Sequence, residues 1–143
     1  MIYRIIYFST AAHAMASEDL EALMQLARAN NQRVGITGLV AYHDFTFIQV
    51  LEGPRSAVQA CFDRISGNTL HRNVTLAWRG EALERCFEKY SMAFVPAADQ
   101  TPPQNQAFKD LRAVFDPENP TSVASDKIVT GFFEAFRDTT RPV

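Results

Sequence analysis

The sequence predicts an α+β fold of the ferredoxin-like type, in the order β-α-β-β-α-β-β. Three observations predict it. Short β-branched and aromatic runs recur along the first 95 residues. Two amphipathic runs at helical spacing interrupt them. Asp44 separates the second and third apolar runs by a tight turn, which makes them a hairpin. The expected product is a five-stranded mixed sheet with two helices on one face and two C-terminal helices on the other.

The elements follow in order. "IYRIIYFS" at 2–9 reads as a strand. Ser17 is a good N-cap, with Glu18, Asp19 and Glu21 in the first turn, where acidic groups oppose the helix dipole. Leu20, Leu23, Met24 and Ala27 then recur at helical spacing to about Asn31. "GITGLVAYHD" and "FTFIQVLEG" form the hairpin. Gly53-Pro54 opens a second helix with apolar face Val58, Phe62 and Ile65, and Gly67 suits its C-cap. "NVTLAWRG" and "CFEKYSMAFV" read as the last two strands. Residues 1–96 form one unit on this reading. Residues 97–143 form a Pro-rich linker and two short amphipathic helices, "NQAFKDLRAVF" and "SDKIVTGFFEAFRD". Phe108, Leu111, Phe115, Ile128, Phe132 and Phe136 would cover the open face of the sheet.

Composition limits the function. The chain has 143 residues, 47% hydrophobic and 21% charged, which suits one globular domain. A net charge of −2 argues against binding nucleic acid or an anionic membrane surface, both of which call for a basic face. No apolar run approaches the ~20 residues of a membrane helix. "MIYRIIYFST" does not read as a signal peptide. Cys61 and Cys86 are too few for a disulfide framework and read as reduced, structural thiols. A cytoplasmic location is expected. His13, His43 and His71 are scattered, so no metal or catalytic cluster is expected and the chain is read as a non-enzyme.

Gln49 is the informative anomaly, because its amide sits inside a strand that otherwise reads as core. Burying an amide without a partner costs roughly 1–3 kcal/mol. In a split βαβ sheet the first and third strands are neighbours, so Tyr7 and Gln49 can meet. Asn30 and Asn31 end the first helix; Arg64 and Asn68 close the second, and His71 follows. Leu23, Ala27, Phe62 and Ile65 would wall a slot between the helices. An apolar slot with a few amides suits a flat heteroaromatic ligand. Each residue alone has a plainer reading. Gln49 is then a backbone-bonded amide, Tyr7 a core aromatic and Asn30-Asn31 a helix end. Arg64 is then a solvated helix residue, His71 a loop histidine and Met92 core filler. The combination outweighs these.

The combination of "YFS" at 7–9, "NNQRVGITG" at 30–38, "FIQVLEG" at 47–53, "DRISGNTLH" at 63–71 and "YSM" at 90–92 resembles the BLUF family of blue-light sensors. The resemblance covers residues 1–96 and implies a non-covalent flavin, usually FAD, with FMN or riboflavin as alternatives. It implies that Tyr7 donates an electron and proton to the excited flavin and that Gln49 lies between Tyr7 and the flavin. Asn31, with Asn30 beside it, would bond the ring carbonyl side, and Arg64 would reach the polar edge. Ser9 matches the serine after the tyrosine, Met92 the methionine of the last strand, and Asn68 and His71 fall at supporting positions. Tyr90 stands where the family usually has Trp, a departure from its pattern. No output domain fits beside the sensor in 143 residues, so an unidentified downstream protein and a homo-oligomer are expected. The rival readings are a ferredoxin-like interaction module and a flavin binder without photochemistry.

Overall fold

The computed structural model describes residues 1–11, 17–67, 71–88, 91–114 and 126–137. Five strands form one sheet: β1 (Ile2–Ala11), β2 (Thr37–His43), β3 (Thr46–Gly53), β4 (His71–Ala82) and β5 (Ala93–Pro96). Their spatial order is β4-β1-β3-β2-β5. Helix α1 (Ser17–Val34) links β1 to β2, and α2 (Arg55–Ser66) links β3 to β4. β2 and β5 run parallel, while β1 pairs antiparallel with β3 and β4, and β2 with β3. This is the expected ferredoxin-like order with one strand added at the β2 edge.

Side-chain alternation separates two cores. Tyr3, Ile5 and Tyr7 of β1 pack with Leu20 and Met24 of α1 and with Val58 and Cys61 of α2. Ile6 and Phe8 point the other way. They meet α3 (Pro102–Val114) and α4 (Asp126–Arg137) through Phe108, Leu111, Val129, Phe132 and Phe136. The two C-terminal helices therefore cover the face opposite α1 and α2. Phe115, expected in the same cover, lies outside the described residues.

Three boundaries differ from expectation. The last strand is only Ala93–Pro96, whereas the whole run 86–95 reads as strand. Residues Cys86 and Phe87 instead turn inward, because their backbone N–H groups are taken by the Glu52 carboxylate rather than by a ladder. The expected Pro-rich linker is shorter than it reads. Ala97–Asp99 form a 3₁₀ turn, and Pro102 and Pro103 begin α3, where a missing N–H costs nothing. Helix α1 runs on to Val34, one turn beyond Asn31.

The motif glycines and their neighbours join the hairpin to itself. A Cβ on Gly53 would lie 2.7 Å from the Gly35 carbonyl oxygen, and one on Gly38 would collide with the Val50 carbonyl. Thr37 Oγ1 donates to Glu52 Oε1 at 3.1 Å. Much of the G-I-T-G and L-E-G pattern thus serves strand packing directly and shapes the ligand face only through it.

Candidate functional site

Register brings the central pair together. Tyr7 of β1 lies directly opposite Gln49 of β3, so both side chains project to the α1/α2 face. The Tyr7 ring is fully buried and packs against Phe62, with centroids 5.4 Å apart. Its hydroxyl is buried and has no hydrogen-bond partner among the described residues. Burial, and secondarily the nearby Cys61, raise its pKa well above 10.0, so the phenol keeps its proton at neutral pH. A buried hydroxyl without a partner is costly, and it marks where a polar ligand atom would be welcome.

Gln49 is 7% exposed and lines a cavity of about 260 Å³ between the two helices. Leu23, Met24, Leu26, Ala27, Val40, Phe47 and Ile65 make most of the wall, with Asn30, Asn31, Cys61 and Arg64 as its polar members. The volume is just below the ~300–1,000 Å³ usual for small-molecule sites, room for a ring system rather than a whole dinucleotide. The chemistry of the wall fits a flavin ring: an apolar slot, amides from two elements, and an orphaned phenol behind one of them.

The expected residues divide into groups. Gln49, Asn30, Asn31, Leu23, Ala27, Arg64 and Ile65 all line the cavity. Phe62, expected as wall, instead backs Tyr7. Ser9 is buried in β1, opposite Phe47 in register, and is not among the lining residues. Met92 is buried beneath the sheet edge, and its Sδ accepts from Gln49 Nε2 at 3.5 Å. Asn31 spends one of its two Nδ2 protons on the Ser91 carbonyl, 3.0 Å away, which leaves its second proton and its oxygen for a ligand. Asn68 and Tyr90 lie outside the described residues. His71 begins β4, and its side chain also lies outside the described part.

Three features escape a reading of the sequence. Cys61, read as structural, lines the cavity. Its thiol is pushed up by burial, and Arg64 opposes that shift. Arg28 donates from Nε to the Met92 carbonyl at 2.8 Å. Arg4 and Glu52 form a buried ion pair at 3.2 Å on the opposite face. The guanidinium of Arg4 lies 4.8 Å over the Phe133 ring of α4. The signal for that pair is legible in retrospect: one charge interrupts each of two apolar strands that become neighbours.

Comparisons with known proteins agree. The family described as "BLUF: Sensors of blue-light using FAD" matches residues 2–93. Photoactivated adenylate cyclase subunit alpha of Euglena gracilis is 34% identical over 83 residues, 58% of this chain and 8% of that protein. Subunit beta of Euglena longa is 31% identical over 83 residues, 58% of this chain and 10% of that one. The chain thus spans about a tenth or less of the length of the curated relatives it matches. Among solved structures, the BLUF protein BlrB in its dark state has a TM-score of 0.73 at 26% identity, with 95% of both chains covered. The photo-activated state of BlsA has a TM-score of 0.79 at 23% identity, with 96% of both covered, and shows a shared fold. Klebsiella pneumoniae BlrP1, solved with FMN and cyclic diGMP, has a TM-score of 0.68 at 25% identity, covering 94% of this chain and 35% of that one. Register, cavity and comparison converge on one conclusion: this chain belongs to the BLUF family of flavin-binding blue-light sensors.

Proposed function

We propose that this chain is a blue-light photoreceptor in which Tyr7 and Gln49 form a hydrogen-bond switch beside FAD and the last strand carries the signal to a partner protein. The observation that supports it best is the buried, unpartnered Tyr7 hydroxyl beside a Gln49 amide that faces the cavity and also reaches Met92.

FAD, when bound, supplies blue-light absorption and a strongly oxidising excited state. The cavity walls exclude water and fix the ring plane, while Asn30, Asn31 and Arg64 offer polar contacts at its rim. The family resemblance gives Asn68 and His71 supporting roles, and Ser9 is buried within β1, where it would steady the strand that carries Tyr7. Tyr7 would supply an electron and, by way of the Gln49 amide, a proton to the light-excited ring, and would then take both back from it. Gln49 is left with its donor and acceptor ends exchanged. In its new orientation the amide would aim its NH₂ end into the cavity, as a donor to the bound group, and its oxygen toward Met92. No substrate is turned over. The altered contact shifts a pre-existing equilibrium in residues 91–96 and the helices beyond.

Residues 1–96 are the flavin-binding unit on this reading, and 97–143 an extension that transmits its state. A cytoplasmic protein, a downstream effector protein and a homo-oligomer go with the same proposal. The effector is kept open in kind: relatives named photoactivated adenylate cyclases couple such a module to an enzyme.

The experiment is the colour of the purified protein and its light-minus-dark spectrum. A yellow protein whose visible bands move reversibly to the red without bleaching is expected. Reconstitution with FMN and riboflavin would rank the alternatives to FAD. A colourless protein that FAD cannot reconstitute would favour an interaction module. A flavin that bleaches irreversibly would favour a binder without photochemistry.

A further inference from the structure

Residues 91–92 are held by three side chains from two elements. Asn31 and Arg28 lie three residues apart on one face of α1. They donate to consecutive carbonyls: Asn31 Nδ2 to Ser91 at 3.0 Å and Arg28 Nε to Met92 at 2.8 Å. Gln49 Nε2 meets the Met92 sulfur at 3.5 Å. Met92 packs where Gly38 leaves room, since a Cβ there would lie 3.3 Å from Met92 Cε. β5 begins at the next residue, with Ala93 paired to Leu39.

The three contacts differ in strength. A thioether is a weak acceptor and an amide bond is neutral, but a guanidinium bond to a carbonyl is charge-assisted and roughly twice as strong as a neutral one. Arg28 is also oriented from outside, through Nη1 to Glu21 Oε1 at 3.0 Å. It is absent from the cavity lining, so it acts on the strand, not on the ligand.

We propose that Arg28 is a positioning residue of the light switch: it clamps the Met92 main chain, so that the strand returns to its dark arrangement after Gln49 has rearranged. The inference rests on the switch proposed above. When the amide turns its oxygen toward the Met92 sulfur, two acceptors face each other and the side chain is driven off. The Arg28 clamp opposes release of the whole segment and draws it back. Without it, the released segment is no longer penalised by a lost charge-assisted bond.

The test compares wild type with Arg28→Met, Arg28→Lys and Glu21→Gln. Methionine keeps length and helix propensity while removing the donor. Arg28→Met should bind flavin and show an undiminished red shift, yet recover in the dark about tenfold more slowly, since a hydrogen bond to a charged group carries that much or more. Amide exchange of Ala93, Phe94 and Val95 should be faster in the dark. Arg28→Lys should rescue part of both effects, and Glu21→Gln should change recovery less than twofold. Wild-type recovery together with wild-type exchange in Arg28→Met would overturn the proposal. Loss of the red shift with flavin retained would also overturn it, because Arg28 would then belong to the photochemical network. A wild-type protein with no red shift would overturn the switch, and a clamp with nothing to reset falls with it.

Discussion

The Gln49 side-chain amide donates from Nε2 to the Met92 sulfur across 3.5 Å, joining the central strand β3 to the segment that opens the edge strand β5. Sulfur has no proton to give, so it pairs only with the NH₂ end of the amide. The contact is therefore sensitive to which way the amide points, and it reports that orientation to a residue buried at the sheet edge.

Gln49→Leu tests that sensitivity. Leucine fills similar space and removes both amide ends. Flavin should stay bound with a modest loss of affinity, about 0.5–1.5 kcal/mol for one neutral hydrogen bond. The reversible red shift should disappear. An undiminished light-minus-dark spectrum from this variant would exclude Gln49 as the switch.

Tyr7 sets an alkaline limit. Its folded pKa is raised well above 10.0, chiefly by burial, while the unfolded tyrosine titrates near its ordinary value. Between the two values the folded state holds the proton and the unfolded state does not, so stability falls as pH rises. The contribution is complete below about pH 10 and is lost above it. Tyr7→Phe should flatten this part of the pH–stability profile and should abolish the red shift. Denaturant titrations from pH 8 to 11 on both proteins check the first point. Equal slopes would mean that Tyr7 is not the group responsible.

Glu52 anchors the chain that leads to Met92. Its carboxylate is fully buried and accepts from Arg4, from Thr37, and from the backbone N–H of Cys86 and Phe87. Glu52→Gln keeps the shape but leaves the Arg4 charge buried and uncompensated. The expected loss is about 3 kcal/mol, the lower end for a broken buried pair. The double variant Arg4→Met with Glu52→Gln should be less destabilised than Glu52→Gln alone, as it buries no lone charge and keeps a side-chain acceptor beside the Cys86 and Phe87 N–H groups. Urea midpoints decide. A Glu52→Gln protein as stable as wild type would show that the pair is not needed for folding.

Phe45 carries strain in the hairpin turn. Asp44 and Phe45 have φ of 52° and 66°, both in the left-handed region. Turns of this kind favour glycine at the second position. An ordinary residue there costs about 1–2 kcal/mol. The backbone part of Phe45→Gly is a gain of about 0.5–1 kcal/mol after the added chain entropy of glycine is subtracted. The ring is 45% exposed, so more than half of it is covered, and losing that burial costs about 1–1.5 kcal/mol. Phe45→Gly should therefore lower the denaturation midpoint slightly, and a raised midpoint would show that the backbone strain outweighs the burial of the ring.

Sequence alone determined the order of elements, the neighbour relation of β1 and β3, and the cavity set of Gln49, Asn30, Asn31, Arg64, Leu23, Ala27 and Ile65. These follow from local rules. Side-chain period separates strands from helices, Asp44 marks the turn, and the split βαβ connection places Tyr7 against Gln49. The resemblance supplied their roles. Tertiary structure decided the rest. Nothing in the sequence singles out Arg28, which the fold brings within 2.8 Å of the Met92 carbonyl. Cys61 reads as filler until α2 turns it toward the cavity. Cys86 and Phe87 have strand-like sequence, yet the Glu52 carboxylate captures their N–H groups, ends the ladder and shortens β5 to four residues. The contacts of Arg28, Cys86 and Phe87 depend on partners 34 to 64 positions away, and no periodicity within a segment encodes a contact over that distance.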